Sequence, residues 1–307
     1  MERAAIGHKL KVLFKKAKGR TDFRSLGQLI TVVEGDLKGA APFLAALEKL
    51  QSDAKSGLRL GITGPPGAGK SSLLNLLIAE YRKEKKSVAV LAVDPSSPFS
   101  GGALLGDRVR MDDHSADSQV FIRSVGARGG FGGLSVSTGA MLTVLEGCGF
   151  DVILVETAGV GQTEIQVMNL VDATAVVLVP ESGDSIQTMK AGILEIADLF
   201  IVNKSDREGS GLMVNELKSM VEIEGKKRPV LATSTLNQTG IHELAEELVN
   251  QATKHKGLKR KSDDRLRGEL RNLVLWTMDQ VFQKRVSTTK IKSVYEAFQK
   301  FKFPKSP

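Results

Sequence analysis

The sequence predicts an α/β fold, a doubly wound and mostly parallel sheet with helical extensions before and after it. Three observations predict it. Seven short apolar runs rich in β-branched residues recur through the middle of the chain, stretches of helical period separate them, and the runs are apolar mostly at successive positions, not alternating ones. Strands covered on both faces read this way, and strand alternating with helix favours parallel pairing. The runs lie at 58–63, 88–93, 120–122, 152–155, 175–179, 199–202 and 230–232. A chain of 307 residues holds one α/β domain of about 200 residues with material to spare. We therefore expect an N-terminal helical extension over 1–56, a central domain over 57–252 and a C-terminal helical extension over 253–307.

The elements justify themselves in order. Residues 1–20 are basic but lack the serine-rich, arginine-biased character of an organelle transit segment, so they read as a surface helix. Between 23 and 50, Leu26, Leu29, Ile30, Val33, Phe43, Leu44 and Leu47 fall at helical spacing, broken near 35–39. Two helices are expected there. Residues 241–249 read as the last core helix and 263–282 as a longer one. The latter carries Leu266, Leu270, Leu273, Thr277 and Val281 on one stripe, with Leu275, Trp276, Met278 and Phe282 off it. A helix apolar on more than one face must bury the second, so a homodimer contact through the C-terminal helices is expected.

Composition narrows the function classes. No apolar run approaches the roughly 18 to 20 residues of a membrane span, so no membrane is expected. Cys148 is the single cysteine, which forbids an intramolecular disulfide and suits a reducing, cytoplasmic setting. The net charge is +8, but from Gln251 onward there are fifteen Lys/Arg against five Asp/Glu, so the tail supplies the excess. Its densest run, Lys254 to Lys261, has no interleaved aromatics on which bases could stack. We expect a solvated connection and no nucleic-acid partner.

A phosphate site is written at Gly64-Pro65-Pro66-Gly67-Ala68-Gly69-Lys70-Ser71, a G-x-x-x-x-G-K-[ST] string between a strand and the helix that Ser72 to Tyr81 would form. Glycines let successive amides turn toward phosphate oxygens, and the helix N-terminus adds its partial positive charge. Lys70 would bridge β- and γ-phosphate and Ser71 would give its hydroxyl to Mg²⁺. The base site follows a later strand as Asn203-Lys204-Ser205-Asp206. Asp206 can accept from guanine N1–H and its exocyclic amine while Lys204 lays its stem along the ring. Adenine would set a lone pair against that carboxylate, so GTP and GDP are the expected nucleotides rather than ATP. Ser234 and Thr235, after the next strand, could complete the pocket with backbone donors.

The strand over 152–155 runs into Glu156-Thr157-Ala158-Gly159. Glu156 would hold a Mg²⁺-bound water and the Gly159 amide would sense the γ-phosphate. Val160 follows, where many signalling GTPases carry the glutamine that orients water, so intrinsic hydrolysis should be slow. Asp94 and Asp107 sit on loops at the nucleotide end and could reach the metal as those loops close. A glycine-rich stretch lies at Arg128 to Gly133.

Together these motifs resemble the MeaB/ArgK family of P-loop GTPases, related to the metallochaperone GTPases. The matching residues are Val93-Asp94-Pro95-Ser96-Ser97-Pro98, Gly106-Asp107-Arg108, Arg128 to Gly133, Glu156-Thr157-x-Gly159-Val160-Gly161-Gln162, and Gly183-Asp184-Ser185-Ile186-Gln187 leading to Lys190. The resemblance implies GTP hydrolysis in the service of an adenosylcobalamin-dependent acyl-CoA mutase, usually methylmalonyl-CoA mutase, whose cofactor loading such proteins gate. It also implies that Lys70, Ser71, Asp94, Asp107 and Glu156 serve nucleotide and Mg²⁺. It makes 181–190 a third switch loop answering to the mutase, with Lys190 entering the site when the partner binds. Ala158 stands where the family usually has valine.

Three alternatives stay open. A kinase of basic amino-acid transport would need a phosphate acceptor, and no phosphohistidine segment or membrane anchor is evident. A nickel metallochaperone would need clustered soft ligands, whereas Cys148, His8, His114, His242 and His255 are scattered. A GTP sensor with negligible turnover is separated only by measuring rates.

Overall fold

The computed structural model describes residues 2–20, 22–51, 57–94, 114, 116–126, 133–157, 159, 162–182, 195–223, 225, 227–256, 266–267, 270–271 and 273–279. Its helices are α1 (Glu2–Ala17), α2 (Phe23–Gly35), α3 (Leu37–Gln51), α4 (Lys70–Lys83), α5 (Gly133–Cys148), α6 (Gln162–Met168), α7 (Ser210–Ile223) and α8 (Ile241–Lys256). Its strands are β1 (Leu58–Thr63), β2 (Val88–Asp94), β3 (Val120–Gly126), β4 (Val152–Thr157), β5 (Ala173–Leu178), β6 (Leu199–Val202) and β7 (Val230–Ala232).

All seven strands pair in parallel, in the order β3-β2-β4-β1-β5-β6-β7. The expected doubly wound sheet is therefore observed. β3 and β4 run on to Gly126 and Thr157, and β5 begins two residues earlier than its apolar run. Most of the extra residues are polar or glycine, such as Arg123, Ser124, Gly126, Glu156, Thr157 and Thr174, types that periodicity passes over but that ladder bonds accept.

Strand alternation divides the core. Leu60, Ile62, Val152 and Leu154 point to the face covered by α4 and α8. Ile153 and Val155 point to the opposite face, under α5, α6 and the three N-terminal helices. α7 covers β5 and β6 further along.

The N-terminal helices share the second cluster outright. On α2, Leu26, Leu29, Ile30 and Val33 are fully buried, as their spacing predicted, each contributing roughly 1.5–3 kcal/mol by leaving water. Asp22 caps α2 by accepting from the Ser25 amide at 3.0 Å. Leu10, Leu13 and Ala17 of α1 face inward as well, so this basic helix is a surface helix with one buried side. Arg123 on edge strand β3 reaches Glu34 of α2 at 3.3 Å, and Phe23 packs edge-on against Phe121 at 5.5 Å.

Two boundaries differ from expectation. The break between α2 and α3 is a single residue, Asp36, whose carboxylate accepts from the Gly39 amide at 2.8 Å. α8 continues past Val249 to Lys256, so it crosses the expected boundary at 252/253. Residues 273–279 are helical, and one large apolar residue among them packs on the core. Trp276, off the predicted stripe, is the residue that packs on the core, while Leu266, Leu270 and Leu273 of the stripe are exposed beside Leu275 and Met278. Val281 and Phe282 lie outside the described residues.

Candidate nucleotide site

Four strands deliver their carboxyl ends to one edge of the sheet. β1 leads into the phosphate loop, β4 into Gly159, β6 into Asn203 and β7 into Ser234. Because β1 lies between β4 and β5, the chain winds away from it in both directions, which opens a crevice at that edge.

The phosphate loop needs its glycines. Gly64 has φ of 151°, and a side chain there would meet the Val177 carbonyl at 2.2 Å. Gly69 has φ of 84° and is the N-cap of α4; it offers no capping side chain, so the first amides of α4 stay directed at the loop. Lys70 is buried, and its Nζ donates to the carbonyls of Gly64 and Pro65, each at 2.9 Å. The ammonium thus lies inside the loop where phosphate oxygens would lie. Pro65, Pro66, Gly67 and Ala68 form the turn between, and Ser72 follows Ser71 in the first turn of α4.

Alternation on β4 sends Glu156 toward α4, and there Ser71 Oγ donates to Glu156 Oε1 at 2.8 Å. A hydroxyl and a carboxylate at a phosphate loop form a hard-oxygen pair that fits Mg²⁺, with nucleotide oxygens and water completing an octahedron. Asp94 ends β2 at the same edge, its side chain not described, and Asp107 and Lys190 lie outside the described residues. Among the described residues no cluster of three or more His, Cys, Asp or Glu could hold a metal ion.

The base loop adds two observations to its sequence reading. Asn203 is fully buried and ties two loops together: its Nδ2 donates to the Ala68 carbonyl at 2.8 Å, and its Oδ1 accepts from Thr233 Oγ1 at 3.1 Å. It braces the phosphate loop against the base loop. Ser234 was expected to offer a backbone donor, yet its amide is committed to the Thr239 carbonyl at 3.1 Å. Its contribution is the hydroxyl, which donates to Asp206 Oδ1. That bond, helped by Arg207 and Lys204 nearby, holds the Asp206 carboxyl below the usual carboxylate range. Lys204 adopts φ of 56°, turning the chain so that exposed Asp206 can present its carboxylate to a base edge. Thr235, half-buried, follows at the mouth.

Three contributors escaped the sequence reading. Thr63 Oγ1 donates to the Gly159 carbonyl at 2.9 Å, and Thr157 Oγ1 donates to Thr63 Oγ1 at 2.8 Å. Thr233 orients Asn203. All three are threonines closing or directly following an apolar strand, and that single polar residue at the strand end was the available signal. Nearby, Glu181 pairs with Arg207, linking the start of the expected third switch loop to the base loop.

A family model described as Methylmalonyl Co-A mutase-associated GTPase MeaB matches residues 26–290. A candidate GTPase of Pyrococcus horikoshii is 47% identical over 234 residues, 74% of this chain and 73% of that protein. GTPase ArgK of Escherichia coli is 36% identical over 238 residues, 75% of this chain and 72% of its own length. The mitochondrial methylmalonic aciduria type A homolog of Mus musculus is 45% identical over 148 residues, 48% of this chain and 36% of that protein. Among solved structures, a LAO/AO transport system kinase superposes with a TM-score of 0.64 at 26% identity, over 93% of this chain and 86% of that one. The hydrogenase maturation factor HypB from Archaeoglobus fulgidus shares the fold, with a TM-score of 0.51 at 15% identity over 69% of this chain and 98% of that one. Phosphate loop, hydroxyl–carboxylate pair and braced base loop thus occur in a chain matched along most of its length by one family model: it is a member of the methylmalonyl-CoA mutase-associated GTPase (MeaB) family.

Proposed function

We propose that this protein hydrolyses GTP, slowly when alone, as the escort of an adenosylcobalamin-dependent acyl-CoA mutase, most simply methylmalonyl-CoA mutase. The observation that carries the guanine part is the brace at Asn203, which makes the phosphate loop and the Asp206 loop parts of one site. The family's description supports the mutase as partner.

In this reading Lys70 leaves the loop carbonyls for β- and γ-phosphate oxygens, and the amides of Gly67 to Ser71 surround the β-phosphate. Ser71 and Glu156 would hold Mg²⁺, with Asp94 and Asp107 joining as their loops close; the ion would neutralise charge developing on the phosphate oxygens. Asp206 accepts from the guanine edge, and Gly159 presents its amide to the γ-phosphate. With Val160 in place of a water-orienting glutamine, full activity awaits a group supplied on partner binding, for which Lys190 is the candidate. The exposed apolar residues Leu275 and Met278 support a homodimer through the C-terminal helices. The single cysteine suits a cytoplasmic setting, and among the described residues no helix is long and apolar enough to cross a membrane.

The test is GTP turnover with and without the mutase, with ATP as control. Slow GTP turnover raised at least tenfold by the mutase, with none on ATP, supports the reading; no complex and no acceleration refutes the escort role. A second reading, a transport-associated kinase, draws on the name of the solved relative. Transfer of the γ-phosphate to a protein acceptor, in place of release as phosphate, would favour it.

A further inference from the structure

We propose that Thr63 is a positioning residue: with Thr157 behind it, it holds the Gly159 peptide in register with the phosphate loop, and so sets how well the site distinguishes a γ-phosphate from its absence. The proposal rests on the guanine-nucleotide reading above.

β4 ends on two polar residues that serve opposite faces. Glu156 points toward α4 and Ser71. Thr157 points the other way, to the face of Ile153 and Val155, where it is 0% exposed. Thr63, 1% exposed, lies beside it because Ile62 pairs with Glu156 across the sheet. Two hydroxyls buried at a sheet edge are costly unless bonded, and here each is bonded. The chain of donors has one direction, Thr157 Oγ1 to Thr63 Oγ1 to the Gly159 carbonyl, at 2.8 and 2.9 Å.

The last acceptor matters because it belongs to a glycine. With no side chain to pack, Gly159 depends on the bond to its carbonyl to settle where it lies, and its amide N–H, on the other side of the Cα, is positioned through that anchor. The residue that settles it, Thr63, is covalently joined to Gly64, the first glycine of the phosphate loop. On the same face of β1, Gly61 lets the end of α6 and the loop after it approach so closely that a side chain there would stand 2.6 Å from Met168 Sδ and 2.9 Å from Val171 Cγ2. Gly159 and the end of α6 are thus each referenced to β1, by the hydroxyl at Thr63 and by close packing at Gly61. A displacement of the phosphate loop carries Thr63 with it, and Gly159 follows.

The experiment compares affinity for a non-hydrolysable GTP analogue with affinity for GDP, by equilibrium fluorescence, in the full-length wild type and in Thr63→Val, Thr63→Ser and Thr157→Val, with melting temperatures recorded. Valine keeps the shape and removes the hydroxyl; serine keeps the hydroxyl. Thr63→Val is expected to lose about three- to tenfold in affinity for the analogue, the worth of one buried hydrogen bond, while GDP affinity stays within about twofold. Thr63→Ser should keep the wild-type ratio, and Thr157→Val should shift it by about twofold, since the Thr63 bond survives. A hydroxyl that only stabilises the fold would lower the melting temperature and leave the ratio untouched, and that result overturns the proposal. If Thr63→Val does not fold, the ratio in Thr157→Val decides, an unchanged value refuting the relay. Failure of the wild type to bind either guanine nucleotide sinks the nucleotide reading itself, a separate outcome.

Discussion

Replacing Asn203 by alanine separates bracing from base reading. The side chain makes two buried bonds, to the Ala68 carbonyl and from the Thr233 hydroxyl, and Ala68, Asn203 and Thr233 are all 0% exposed. Truncation leaves a carbonyl and a hydroxyl without that amide, at about 1–3 kcal/mol for each buried group, and partial relaxation brings the sum to about 2–4 kcal/mol. A domain of this size loses about 2–4 °C of melting temperature per kcal/mol, so a fall of about 4–16 °C is expected. Because the phosphate loop is no longer held against the base loop, affinity for GDP should also fall, about tenfold for each 1.4 kcal/mol that appears in binding. Guanine preference should survive, since the Asn203 amide is bonded within the protein while Asp206 keeps its carboxylate for the base. Asp206→Ala should do the reverse, keeping the melting temperature and losing discrimination between GDP and ADP. Thermal unfolding and competition of both nucleotides against a fluorescent analogue measure each quantity. If Asn203→Ala keeps its stability but loses guanine preference, Asn203 reads the base and the reasoning is wrong.

Other perturbations test the fold and the site's electrostatics. Arg59 and Glu146 form a buried bidentate pair at 2.9 and 2.8 Å, so Glu146→Ala, removing the anion that faces Arg59, should cost about 3–5 kcal/mol in chemical denaturation with nucleotide specificity unchanged. Burial pushes the Cys148 thiol up to about 12, and a disulfide reagent at pH 8 should modify it only after denaturant is added. The Asp206 carboxyl is held low chiefly by the Ser234 hydroxyl, so its charged form persists as pH falls through the usual aspartate range. GDP affinity should therefore hold as pH is lowered into that range, and in Ser234→Ala the acid-side loss should begin at higher pH. Equal profiles would mean that the hydroxyl does not tune the carboxylate.

Much of this protein is legible in one dimension because local chemistry suffices for it. Short apolar runs bounded by turn residues and alternating with helical stretches read as strands buried on both faces, so the parallel sheet follows from 88–93, 152–155 and their companions. Gly64 to Ser71 and Asn203 to Asp206 are readable because phosphate and guanine each demand particular residue types at fixed spacing. Tertiary structure alone decided what depends on which elements meet. Asn203 belongs to the base loop by spacing, and β6 and the phosphate loop converge so that its amide reaches Ala68. Thr63 looked like one more strand residue until the β1–β4 register put it beside Thr157 and under Gly159. Trp276 rather than the leucine stripe turned inward, a choice set by the surface the sheet and helices present to it. Spacing along a chain encodes which face a residue shares; which partner waits across that face is a property of the packed molecule, where a buried hydroxyl or amide must find its bond wherever the fold supplies one.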